Sequence, residues 1–183
     1  MITKYPLVIT NETTRLSEWV TLSAKHVIRD SGGRIDVFHS LQQSDYVTTL
    51  ALRTDGLIPI VKQFRPAVEQ FSFELPGGLL DCSAAPESVA ISEIYEETGH
   101  KVIGNIHSLG CLLPDTGRLE NRLWTYFAEV SSDVESEWTP EVGVEVLLVT
   151  RSELRKMICG GQFNHALHLG LIGLALTKGL FTW

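Results

Sequence analysis

At 183 residues, with 44% hydrophobic and 20% charged residues, the chain has the make-up of one globular domain and is short for two. A formal net charge of −7 and the lack of any basic run argue against nucleic acid as the main partner. Three cysteines (Cys82, Cys111 and Cys159) at unrelated spacings suit neither a disulfide framework nor a zinc site, and fit reduced thiols.

Residues 1–6 carry no apolar run of signal-peptide length. The apolar stretch 167–176 is broken by His168, Gly170 and Gly173 and falls well short of the roughly 20 residues of a membrane span. A soluble, cytoplasmic protein without membrane contact is expected. From Trp19 to Ile28 the chain alternates loosely, meets the turn Asp30-Ser31-Gly32-Gly33 and runs on over 34–39, which predicts a hairpin. Residues 46–52 and 57–63 flank Thr54-Asp55-Gly56 and predict a second hairpin. Residues 71–75 form a short strand closed by Pro76-Gly77-Gly78. Pro86 suits a first helical turn, so a helix is expected from there to about Thr98, with Gly99 just past its end. Strands follow at 102–109, 122–130 and 144–149, an acidic loop at 131–143, and helices at 152–157 and 164–178. The order predicts an α+β protein with a mixed sheet and helices on its faces.

The chemistry concentrates in Gly77-Gly78-Leu79-Leu80-Asp81 and in Ser92-Glu93-Ile94-Tyr95-Glu96-Glu97-Thr98-Gly99. At about 100° per residue, Glu93, Glu96 and Glu97 share one side of the helix, with Ile91, Ile94 and Tyr95 on the other. Three carboxylates on one face repel, and no Lys or Arg within the helix relieves them. One reading is a solvated acidic face. The other is a site for a hard cation such as Mg²⁺, beside a glycine loop whose backbone can approach a metal or phosphate closely. His165 and His168, three apart on the last helix, read as packing or surface residues, because Mg²⁺ prefers oxygen.

Gly78, position 84 and the run from Ser92 to Gly99 resemble the Nudix box, in which a glycine, a glutamate and an Arg-Glu pair precede Glu-Glu-x-Gly at this spacing. Gln63-Phe64-Arg65-Pro66 followed by Glu74-Leu75-Pro76-Gly77-Gly78 looks like the segment that enters the box in the ADP-ribose pyrophosphatase branch of that family. The resemblance covers about residues 33–174. This sequence departs from the box in carrying Ala84 for the glutamate, Ser92 for the arginine and His100 for the closing hydrophobic residue. In the family the glutamate and arginine help to hold the metal-binding carboxylates, so their loss implies a weakened site with its ligands still present.

The resemblance implies an α/β/α sandwich with a mixed central sheet and an N-terminal antiparallel hairpin. It implies Mg²⁺, with Mn²⁺ as the alternative, held by Glu93 and Glu97, by Glu96 as an accessory ligand and by the Gly77 carbonyl. The general base is expected from the loop before the last strand, which holds Glu135, Glu137 and Glu141. Glu141 is favoured as the nearest to that strand. Arg65 is a candidate for the substrate's phosphate or terminal ribose, or else a salt-bridge partner of Glu74. Trp19 reads first as a core residue and, under the resemblance, as a platform for a base. The implied substrate is a small nucleoside diphosphate derivative, with ADP-ribose cleaved to AMP and ribose 5-phosphate. A nucleotide sugar such as GDP-mannose, and nucleotide binding without turnover, are the alternatives. Residues 1–40 are expected to join two copies in an isologous homodimer, with 41–183 forming the hydrolase domain.

Overall fold

A computed structural model describes residues 6–30, 32–80 and 83–183; Ser31, Asp81 and Cys82, named above, lie outside them, as do residues 1–5. Two compact units result: Met1–Asp45 with Leu113–Arg122, and Tyr46–Leu112 with Leu123–Trp183.

In the first unit, β1 (Leu7–Arg15), β2 (Thr21–Ile28) and β3 (Ile35–Gln42) form an antiparallel sheet in that order. The expected hairpin is therefore β2–β3, in register from Thr21↔Gln42 to Ile28↔Ile35, with a further strand on its edge. Strand β1 has polar residues throughout its centre and every residue exposed, so no alternation in its sequence betrays it. Between β1 and β2, Ser17 Oγ accepts the Trp19 and Val20 amides at 3.2 and 3.1 Å, closing a turn. Trp19 stands on that turn, 59% exposed, which corrects the expectation of a core tryptophan. Residues 113–122 return to β3: the Leu41 amide donates to Arg118 O at 2.7 Å and the Glu120 amide to Leu41 O at 3.0 Å. Burial pushes the Glu120 carboxyl up. Lys25 at 2.6 Å, with the Ser40 hydroxyl and the Gln42 amide, outweighs that and brings it down to about 2.

In the second unit, β4 (Asp45–Arg53), β5 (Ile58–Arg65), β6 (Gln70–Glu74), β7 (Leu79–Leu80), α1 (Pro86–Thr98), β8 (Val102–Leu112), β9 (Leu123–Val130), β10 (Val144–Val149), α2 (Arg151–Cys159) and α3 (Ala166–Thr177) follow in chain order. The predicted hairpin over 46–63 is not one. Its turn forms, with Gly56 N donating to Arg53 O at 2.8 Å, but the two strands join different sheets. Strand β4 lies inside a mixed sheet of order β7-β4-β9-β8, parallel to β9, while β5 is central in the antiparallel sheet β10-β5-β6. Six consecutive buried residues in β4, from Val47 to Leu52, show why: both faces of that strand are covered. Leu50 and Leu52 pack with Ile58, Ile60, Leu75 and the α3 residues Leu171 and Ile172. Ala51 faces the other way, onto Ile94 of α1 with Ala128 and Val130 of β9. The mixed sheet is thus sandwiched, with α1 on one face and the second sheet and α3 on the other.

Helix α2 starts with a capping box: Thr150 Oγ1 accepts the Glu153 amide at 3.2 Å and Glu153 accepts the Thr150 amide at 2.8 Å. Among the described residues, no helix is long and apolar enough to cross a membrane.

Candidate active site

Loop 75–78, which leaves β6 for β7, is bound to segments from both ends of the second unit. Val47 and Gly78 exchange backbone bonds at 2.9 and 3.1 Å. Pro76 O accepts the Thr49 amide at 2.9 Å and the Thr48 hydroxyl at 3.0 Å. The Leu75 amide donates to His168 Nδ1 on α3 at 3.0 Å. Gly77 must be glycine, because a Cβ there would lie 2.2 Å from Val47 O and 2.8 Å from Thr48 Cα. At Gly78 a Cβ would fall 2.2 Å from Glu93 Oε1, so the missing side chain is the room that the carboxylate occupies.

Helix α1 presents those carboxylates. Pro86 opens it, and Gly99 closes it at φ 73°, its amide donating to Tyr95 O at 2.8 Å. The expected helix bounds therefore hold. Ala90 and Ile94 are buried as in an ordinary amphipathic helix, but Glu97 is buried beside them at 8% exposure while Ile91 is 39% exposed. Gly77 N–H donates to Glu97 Oε2 at 2.9 Å, so the acidic side is turned onto the glycine loop. Burial is the main reason that the Glu97 carboxyl is pushed up to about 7. The Gly77 amide opposes this, and the neighbouring Glu93 and Glu74 charges add to it.

Glu93, Glu96, Glu97 and Glu141 line one cleft of about 680 Å³ together with Gly77 and Gly78. The volume falls within the range of small-molecule sites. Ala84 and Ser92 line the same cleft, so the two departures from the box face the carboxylates they would otherwise support. The loop glutamates divide by position. Glu135 is engaged by the Tyr95 hydroxyl at 3.0 Å and by Lys101, whose hydrogen bond holds its carboxyl below the ordinary value. Glu137 is exposed, and Glu141 reaches the cleft. Trp138 pins this loop to α1: its indole N–H donates to Glu96 O at 3.0 Å. Its ring lies where a Cβ on Gly99 would come within 2.6 Å.

Arg65, at the end of β5, forks onto Glu74, with Nε to Oε1 at 2.7 Å and an NH2 bond to Oε2 at 2.6 Å. Glu74 is buried, yet this pairing keeps its carboxyl below the ordinary value. The guanidinium is half-exposed and adjoins the Gly77–Gly78 loop in a small cavity that Thr48 and His168 also line. His165 and His168 stack with ring centroids 3.9 Å apart, His168 buried and His165 partly so, which makes them packing rather than surface residues. With Glu74 they bring potential ligand atoms within 4.8 Å of one another. Glu74 is committed to Arg65. His168 Nδ1, as an acceptor from Leu75, leaves the neutral ring's proton on Nε2, with no lone pair there for a cation. Thr48, Trp138 and His168 were not singled out for the site from sequence. Each acts through backbone groups distant in the chain, and no local pattern marks such a contact.

The chain is also similar to known proteins in sequence and in fold. No family model matches the chain. It is 31% identical over 114 residues to an ADP-ribose pyrophosphatase of Bacillus subtilis (strain 168), covering 61% of either chain. It is 33% identical over 141 residues to putative nudix hydrolase 2 of Caenorhabditis elegans, covering 67% of this chain and 62% of that one. The chain thus spans about three fifths of the length of these curated relatives. The crystal structure of an ADP compounds hydrolase superposes with a TM-score of 0.76 at 16% identity, over 96% of this chain and 95% of the other, and shows the same fold. The resemblance to Nudix hydrolases, ADP-ribose pyrophosphatases among them, holds in sequence and in fold.

Proposed function

We propose that this chain, similar to Nudix hydrolases in sequence and built on the fold of an ADP compounds hydrolase, is a divalent-cation-dependent diphosphatase that cleaves ADP-ribose to AMP and ribose 5-phosphate. The observation that carries the reading is the convergence of Glu93, Glu96, Glu97 and Glu141 with the Gly77–Gly78 backbone on one cleft. The residues fit a hard cation. They are oxygen donors, Glu97 is pushed up to about 7 by burial first and by its Glu93 and Glu74 neighbours after that, and no Lys or Arg shares the cleft lining. Glu93, Glu97 and the Gly77 carbonyl would hold Mg²⁺ or Mn²⁺, with Glu96 as the accessory. When bound, the cation supplies charge neutralisation for the diphosphate and eases deprotonation of water.

The chain's own groups do the rest. Glu141 takes the proton of the attacking water, since it alone of the three loop glutamates lines the cleft. Arg65 keeps NH1 for a phosphate or ribose oxygen while Nε and NH2 stay on Glu74. Trp19, exposed on its turn, is available to stack on a base. Residues 1–40 supply the contacts of a cytoplasmic homodimer, and 41–183 the catalytic domain. A second reading, nucleotide binding without turnover, is favoured by Ala84 and Ser92 facing the carboxylates.

Incubation with ADP-ribose, GDP-mannose and related diphosphates in Mg²⁺ or Mn²⁺, followed by phosphatase treatment and phosphate assay, separates these readings. Release from ADP-ribose foremost is expected. Preferred release from GDP-mannose moves the substrate to nucleotide sugars. No release from any compound, with calorimetric binding of ADP-ribose, establishes the binding module instead.

A further inference from the structure

We infer that His168 is a positioning residue for the cation-binding loop: its Nδ1 anchors the Leu75 amide and so sets where the Gly77 backbone meets Glu97. The inference rests on the cation site proposed above. Leu75 is 2% exposed and lies past Val61↔Glu74, the pair that ends the β5–β6 ladder, so no strand partner is at hand for its amide. A buried N–H left without an acceptor costs about 1–3 kcal/mol, so the loop would shift to find one. Pro76 follows, with φ fixed by its ring and its carbonyl held by Thr48 and Thr49. A displacement at Leu75 is therefore passed on to Gly77, which has no slack, because it already touches the Val47 and Thr48 backbone.

His168 suits this role. It is 4% exposed, and its unprotonated Nδ1 is a fixed acceptor. Burial, and then the neighbouring His165, push its pKa down to about 3, so the anchor does not switch near neutral pH. Ala84 and Ser92 cannot steady the glutamates through an ion pair, and the bracing of the loop from behind takes that place.

The test compares wild type with His168→Asn, His168→Phe and Glu97→Gln. Asn carries Oδ1 the same number of bonds from Cα as Nδ1 and so restores the acceptor. Phe keeps a ring of similar size and removes it. Mn²⁺ affinity of metal-stripped protein is read from the electron paramagnetic resonance of free Mn²⁺, well below every variant's Tm. His168→Phe should bind Mn²⁺ about tenfold more weakly or worse, and His168→Asn within about twofold of wild type. Unchanged affinity in His168→Phe, or equal loss in both variants, overturns the inference. If His168→Phe does not fold, His168→Gln, whose oxygen sits one bond too far out, takes its place under the same criteria. Equal Mn²⁺ binding by wild type and Glu97→Gln overturns the cation site itself. Loss in Glu97→Gln with none in His168→Phe overturns the role of His168 alone.

Discussion

Glu97 is asked to be buried and to be charged, and the conflict gives it a measurable signature. Its folded-state pKa of about 7 lies above the ordinary value of 4.5, so the folded chain takes up this proton first. In EDTA, ionisation of Glu97 therefore removes stability as pH rises between those values, by on the order of 3 kcal/mol. His168 acts in the opposite sense: held near 3 against 6.5, it removes stability as pH falls below 6.5, where the unfolded ring charges. Comparing wild type with Glu97→Gln isolates the carboxylate. Urea denaturation in EDTA should show wild type losing ground to the variant from about pH 5 to about pH 8, and saturating Mn²⁺ should reverse the trend. A pH-independent difference would mean that Glu97 is not held in the protonated form. In turnover, Glu93→Gln and Glu97→Gln should each lower kcat by about a hundredfold or more, the loss of a charge from a site that works by neutralisation. Ala84 and Ser92 share the cleft, so Ala84→Glu and Ser92→Arg should each fail alone, by adding a fifth carboxylate to the four already there or a cation that competes with the metal. Together they should show coupling in kcat/KM of about 1 kcal/mol or more; strict additivity would show that the positions do not communicate.

Helix α1 and the loop that crosses its end form one device. Gly99 has φ 73°, unfavourable for any residue with a side chain by about 1 kcal/mol, and Trp138 fills the space beside it. Trp138→Phe keeps a ring there but removes the hydrogen bond to Glu96 O. It should slow kcat about tenfold, through looser placement of Glu141, with Mn²⁺ affinity little changed. A matching loss of Mn²⁺ affinity would instead assign Trp138 to holding α1. The bounds of α1 were legible because its signals are local, a proline at the start and a glycine past the end. Strand β10 was found at its observed limits, Val144–Val149, for a similar reason: turn chemistry precedes it, with Gly143 at φ 88°. The pairing of β4 was not legible, since Asp55-Gly56 specifies a turn but not which sheet each strand enters. Nor was the burial of Glu97. Periodicity assigns carboxylates to water, and the contact with Gly77, from a segment distant in the chain, is what holds Glu97 inward. The glutamates of the site could be listed from the box; its bracing by Thr48, Trp138 and His168 could not.

On the scale of the molecule, the first unit carries its apolar side chains outward. Leu7, Val8 and Ile9 of β1 and Ile35, Val37 and Phe38 of β3 are each 41–54% exposed. Exposed apolar groups on both edge strands offer surface to a partner, and a second copy is the partner the N-terminal strands are proposed to take. Light scattering at micromolar concentration should give the mass of a dimer, and Phe38→Asp should shift it toward monomer; a wild-type monomer rules the dimer out. The second unit carries a different consequence. Strand β4 waits for β9, β5 waits for β10, and Leu75 waits for His168 on the last helix. As the chain leaves the ribosome, Glu93, Glu96 and Glu97 emerge long before the residues that give them a shape. Synthesis that stops short of α3 therefore yields a chain with every acidic group and no assembled cleft. Such fragments should bind Mn²⁺ more weakly than the full chain, however many carboxylates they carry.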